Sequence, residues 1–203
     1  MKVKYFLIGC FLVSCFLNAW SQDLPVLSTT SFSNTADHGK HIANGNYAKD
    51  TNNLRGPYVG TWQYNQGGVN LIVKMSKLDK VLNKIEYQGV VSKYDYMDQL
   101  ELRYRLVKNG TVLFDNLDTG DVDPITSYAI ARAGYDLSGR LLDRTRNVVG
   151  SFTAKRQMIN GPQKMLFNLY LGNYTMLNPS TYYQDGQPLF SIPTGEIEMV
   201  KID

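Results

Sequence analysis

The chain has 203 residues, 21 Lys and Arg against 18 Asp and Glu, a formal net charge of +3 and two cysteines. With 43% hydrophobic and 12% aromatic residues it has enough apolar side chains for the core of one domain, which excludes a disordered chain. The near balance of charge, without any basic block, excludes the concentrated cationic surface that nucleic-acid binding requires, so no nucleic-acid partner is expected.

The opening "MKVKYFLIGCFLVSCFLNAWSQ" sets Lys2 and Lys4 before an apolar run from Tyr5 to Leu17, followed by the small residues Ala19 and Ser21. This is the pattern of a secretory signal peptide over residues 1–21, and the run is too short to span a bilayer comfortably. The expected location is therefore secreted, or the periplasm or envelope. "LVSC" at 12–15 resembles a lipobox and offers a lipid anchor on Cys15 as the alternative, against which the apolar "FLNAW" after the cysteine argues. Removal of residues 1–21 takes away Cys10 and Cys15, and with them any disulfide, thiol nucleophile or thiolate metal site. It also takes away Lys2 and Lys4, leaving 19 basic against 18 acidic residues, a net charge of +1. No later apolar run is long enough for a transmembrane helix in the mature chain.

Residues 22–46, "QDLPVLSTTSFSNTADHGKHIANGN", are rich in Ser, Thr, Asn and Gly with little periodicity, and read as a loosely ordered leader or an added strand at a barrel rim. His38 and His41 lie in it without a nearby cysteine or carboxylate ligand set, so they read as solvated loop histidines, and no metal or other cofactor is expected.

From residue 58 the dominant period is two. "VNLIVKM" puts Val69, Leu71, Val73 and Met75 on one face, and "QLELRYRLV" puts Leu100, Leu102, Tyr104 and Leu106 opposite Glu101, Arg103 and Arg105. Apolar on one face and charged on the other is the pattern of an antiparallel sheet with one wet side. The turns "NQGG" (65–68), "KNG" (108–110) and "NGP" (160–162) join successive strands. Strands are expected near 58–65, 69–76, 82–92, 99–107, 111–115, 127–136, 149–157, 164–171 and 195–202, with "DPITSYAIARAG" readable as a short helix instead. "VGTWQYNQGG" and "VGSFTAKRQMING" share a Val-Gly, hydroxyl, aromatic order that chance also produces in amphipathic hairpins. The expected fold is all-β, an antiparallel meander of about 8–10 strands over residues 47–203 closing into a lipocalin-like β-barrel, with a β-sandwich as the alternative.

The stretch "NGNYAKDTNNLRGPYVGTWQY", the Tyr-rich middle and the ending "PLFSIPTGEIEMVKID" resemble an uncharacterised family of secreted Bacteroidota proteins, a domain of unknown function. The resemblance covers about residues 44 to 203 and implies an envelope or extracellular location in a Gram-negative bacterium, but no activity. Gly60-Thr61-Trp62 is also similar to the Gly-x-Trp that opens the first barrel strand of lipocalins, where the Trp closes one end against a basic side chain from a late strand. The Thr-Asp-Tyr turn and final-strand Arg of that family are absent.

Catalytic parts are few. No histidine follows the leader, so Ser-His-Asp and His-ligated metal chemistry are not assembled. Carboxylates remain: Asp95, Asp98 and Glu101 in "YDYMDQLE", and Asp115, Asp118, Asp121 and Asp123 in "FDNLDTGDVD", the second group a solvated acidic turn or a calcium loop without EF-hand spacing. Fourteen tyrosines are the unusual abundance, and Tyr94, Tyr96, Tyr182 and Tyr183 are candidates for a rim binding site. No residue is assigned a catalytic role. The expected function is a non-catalytic interaction or structural barrel with an envelope protein partner. The alternative is a carrier of a small apolar or amphipathic ligand lined by Trp62, Leu71, Val73, Leu102, Tyr104, Phe167 and Leu169, and a carboxylate-dependent glycoside hydrolase is a third reading. Large inward side chains favour the first, because they fill a small barrel.

Overall fold

The computed structural model describes residues 24–119, 125–157, 161–172, 183–184 and 186–203. In chain order the strands are β1 (Ser28–Ser31), β2 (Asn46–Lys49), β3 (Gly60–Gln66), β4 (Val69–Tyr87), β5 (Val90–Lys108), β6 (Thr111–Asp115), β7 (Tyr128–Ile130), β8 (Leu137–Asp143), β9 (Val148–Gln157), β10 (Lys164–Tyr170), β11 (Tyr183–Gln184), β12 (Gln187–Pro188) and β13 (Gly195–Lys201). Short 3-10 segments occupy Thr35–Lys40 and Gly56–Tyr58.

The meander closes on itself. Strands β3, β4, β5, β7, β8, β9, β10 and β13 follow one another antiparallel, and β13 returns to β3 with Val200 opposite Gln63 and Lys201 opposite Trp62. The β5–β7 seam is short, with Leu100 opposite Ala129 and Glu101 opposite Tyr128. A ring of this kind removes the exposed edges an open sheet would leave. Its inward side chains form one buried cluster in which Phe152 and Phe167 stack with centroids 4.9 Å apart.

Three differences from the sequence reading have local causes. The strand expected at 82–92 is two strands: Gln88 and Gly89, both with positive φ (50° and 78°), form the turn of a hairpin whose arms each run 19 residues. Gln-Gly is not the Asn-Gly or Asp-Gly signal by which such turns are recognised. Strand β8 was not anticipated, because "LSGRLLD" lacks alternation; Gly139 stands where the chains come so close that a Cβ would lie 1.9 Å from the Tyr128 carbonyl oxygen. The strand or helix expected over 127–136 shortens to three residues followed by a turn.

The segment read as a leader carries β1 and the first residue of β2; the two strands run parallel to each other, and β2 is parallel to β5 with Tyr47 opposite Tyr96. The edge of β5 away from β4 is thus shared by β2 near 96–97, β7 at 100–101 and β6 at 105–108. Phe32 and Ala48 pack with Met97 and Ile130 in a second small cluster outside the ring.

Candidate functional site

All seven residues proposed to line a ligand cavity, Trp62, Leu71, Val73, Leu102, Tyr104, Phe167 and Leu169, fall in the buried cluster inside the ring, each no more than 2% exposed. Their polar atoms are engaged within the protein: Trp62 Nε1 donates to the Tyr58 carbonyl at 2.8 Å, and the Tyr104 hydroxyl accepts from the Arg144 N–H at 2.8 Å. Burial pushes the Tyr104 phenol well above its ordinary range. The Gly-Thr-Trp triplet organises one ring end. Lys201 of β13 lies over the Trp62 indole at 5.9 Å, supplying a basic late-strand partner that no arginine provides, and Thr61 donates to both oxygens of Asp203. Gly60, at φ +125°, leaves room for Lys201 and Asp203, whose atoms would lie 2.5 and 2.6 Å from a Cβ there.

The rim candidates separate. Tyr94 and Tyr96 donate their hydroxyls to the carbonyls of Pro25 and Leu24, so they hold the leader against the long hairpin. Tyr182 lies outside the described residues, and Tyr183 begins β11, paired with Pro188. Asp115 pairs with Arg105 at 3.4 Å and Asp118 with Lys74 at 3.5 Å, while Asp121 and Asp123 lie outside the described residues, as do residues 1–21 with Cys15. The histidines are not solvated loop residues. His41 is buried against Phe32, with ring centroids 4.7 Å apart, and its Nδ1 meets Thr30 Oγ1 at 3.1 Å. Burial, then the charge of Arg132, lowers its pKa below 6.5. Among the described residues no group of three His, Cys, Asp or Glu side chains is arranged to hold a metal ion.

Among the described residues an open groove lies outside the ring. Along β5, Asp95 and Met97 occupy the face opposite the inward Leu100, Leu102, Tyr104 and Leu106, as strand alternation requires. They floor a groove of about 330 Å³ between the long hairpin and β7, walled by Ile42, Ile125, Tyr128 and Ile130, with Arg132 and Arg140 at its basic side. An adjoining cleft of about 220 Å³ shares Ile42, Asn83 and Asp95 and adds Ile85, Lys84 and Lys93. Ile42, Ile85 and Ile125 are 57%, 61% and 66% exposed, an apolar rim of a kind that marks contact surfaces. On the floor, the Asn83 amide donates to Asp95 Oδ2 at 3.1 Å across the β4–β5 ladder. Burial raises the Asp95 carboxyl above its ordinary value, against the opposing pull of that bond and of Lys93. Sequence reasoning had marked Asp95 within "YDYMDQLE" but not Ile42, Ile125, Arg132 or Arg140. The available signal was the odd face of β5, where the apolar Met97 interrupts the charged pattern of an outer strand face.

A family model described as "Family of unknown function (DUF6705)" matches residues 1–202. The chain belongs to this family. No curated protein and no solved structure matches it. In this DUF6705 chain the Tyr47–Arg55 stretch forms a buried ionic cluster at an irregularity of the long hairpin. The ladder shifts register between Leu78 and Val81, next to the Leu78 and Gln99 pair. Arg55 Nη1 donates to the carbonyls of both at 2.9 Å, its Nε to Asp50 Oδ2 at 3.0 Å and its Nη2 to Asp79 Oδ1 at 2.7 Å. Asp98 accepts from the Asp50 and Lys80 N–H groups and from the Tyr47 hydroxyl. Burial alone would raise the Asp98 carboxyl, but these bonds and Arg55 together hold it below its usual value. Near the other end of the DUF6705 chain, buried Asp143 accepts from Thr145 and Arg146 at the β8–β9 turn and from the Ser191 and Ile192 N–H groups of "FSIPT". Both stretches that carry the sequence resemblance thus act as backbone staples.

Proposed function

We propose that the protein is a non-catalytic binding protein, secreted to or held in the envelope of a Gram-negative bacterium, in which the packed ring is a scaffold and the outer groove between the long hairpin and β7 is the recognition surface. The signal-like start supports the location. One contrast carries the rest: the seven residues read as a ligand lining are at most 2% exposed with the Trp62 and Tyr104 polar atoms engaged, while the exposed Ile42 and Ile125 rim a groove floored by a buried carboxylate. Paired-carboxylate hydrolysis has less support, since Asp95 and Asp98 sit on opposite faces of β5, so they do not flank one sugar ring.

Native mass spectrometry of mature protein from its host's envelope fraction, with Ile125→Asp and Phe167→Leu variants, tests this. The expected result is a bound component lost in Ile125→Asp and retained in Phe167→Leu. A small apolar compound retained in Ile125→Asp and lost in Phe167→Leu establishes the carrier instead.

A further inference from the structure

Resting on the groove reading above, we infer that the groove is a receptor for a primary ammonium group on an aliphatic body, a short peptide with a free amino terminus, with Asp95 and Asn83 accepting the ammonium and Arg132 and Arg140 facing the peptide's carboxylate.

Asp95 is only 8% exposed, and among the described residues no ion pair reaches it. Buried carboxylates are ordinarily paired, because an isolated charge in apolar surroundings is costly. The Asn83 amide nitrogen is directed at Asp95 Oδ2, and among the described residues no hydrogen bond reaches Asn83 Oδ1 or Asp95 Oδ1. Two acceptors without a donor between them fit a group that only donates, and an ammonium with three N–H bonds is that group. A sugar hydroxyl, which both donates and accepts, gains less here and has little use for walls made of Ile42, Met97 and Ile130.

The basic side completes the polarity. Among the described residues Arg132 Nε is buried without a hydrogen-bond partner, and Arg140 stands across from Tyr128 in the β7–β8 ladder. Guanidinium groups are the side chains best shaped for a carboxylate. Lys93 beside Asp95 disfavours a second cation, so the occupant carries one amino group and aliphatic side chains, not a polybasic sequence. A volume near 330 Å³ sits at the small end of ligand sites and suits a peptide of very few residues.

The test is a titration of isotope-labelled mature chain with dileucine, N-acetyl-dileucine and cellobiose, followed by amide NMR, in wild type, Asp95→Asn and Arg140→Gln. Dileucine is expected to shift the amides of Asn83, Asp95, Met97 and Ile130. Acetylation of the probe, or Asp95→Asn, is expected to weaken binding by about tenfold or more, as for the loss of one charge-assisted pair, with a smaller loss for Arg140→Gln. Equal binding of the acetylated probe at the same residues overturns ammonium recognition while leaving the groove as a binding surface. Cellobiose binding there in place of dileucine, or no dileucine shifts at millimolar concentration, also overturns the inference. Neither result bears on the Ile125→Asp outcome, which judges the groove reading separately. The acetylated probe acts on wild-type protein, so the test does not depend on a variant's folding.

Discussion

Arg55 and Asp98 meet where the β4–β5 ladder slips, and each satisfies backbone groups as well as the other's charge. Truncating Arg55 leaves the buried Asp50 and Asp98 carboxylates unpaired by it and takes a donor from the Leu78 and Gln99 carbonyls. Arg55→Ala should therefore destabilise the fold by about 3–5 kcal/mol, measured as a shift of the urea midpoint. Asp95 behaves oppositely. Its folded carboxyl titrates above the ordinary 3.8, so the native state bears a cost whenever the group is ionised, and that cost fades as pH falls toward 3.8. Asp95→Asn should raise the melting temperature at pH 7 and give no gain below pH 3.8, a profile read by calorimetry across pH. For Asp98, held below 3.8, the contribution is present above that value and lost as pH falls beneath it, so acid unfolding should begin there. "YDYMDQLE" therefore places two carboxylates three residues apart with opposite effects, one stabilising and one available for a ligand.

At the scale of elements, the long hairpin dominates. Arms of 19 residues outrun the ring, and the surplus of β5 binds β2 and floors the groove. The opposite edge of the surplus, on β4, is shielded by Lys77, Lys80 and Lys84 and by the bulge before Val81, devices that discourage edge-to-edge association. Ring closure depends on the short β7, and β7 depends on Gly139 of β8. The obstacle to a side chain at 139 is backbone, which cannot swing aside. Gly139→Ala should separate β7 from β8, and hydrogen exchange of the Tyr128 and Ile130 amides should accelerate well before global unfolding.

For the whole molecule, the leader is structural. Tyr94 and Tyr96 tie it to the hairpin, the Tyr94 N–H also donating to Asn44 Oδ1, and Phe32 and Ala48 cover Met97 and Ile130. A chain starting after Lys49 should keep the ring but expose the β5 edge at 96–97 and this apolar patch. It should associate at concentrations where the longer chain is monomeric, read by light scattering. The interior, once packed around Phe152 and Phe167, should be insensitive to that truncation.

The alternation of "VNLIVKM" and "QLELRYRLV" determined by itself that the chain is all-β and which side chains turn inward, because a strand's period of two is local and needs no partner to be read. It also exposed the Trp62 plug through Gly60-Thr61-Trp62. Only the tertiary structure decided that Gln88-Gly89 turns a hairpin, that "LSGRLLD" is a strand, and that the loop histidine His41 is buried. The groove was invisible for the same reason: Ile42, Asp95, Ile125 and Arg140 are far apart in the chain, and they become neighbours only when β2 and β7 take successive places along one edge of β5.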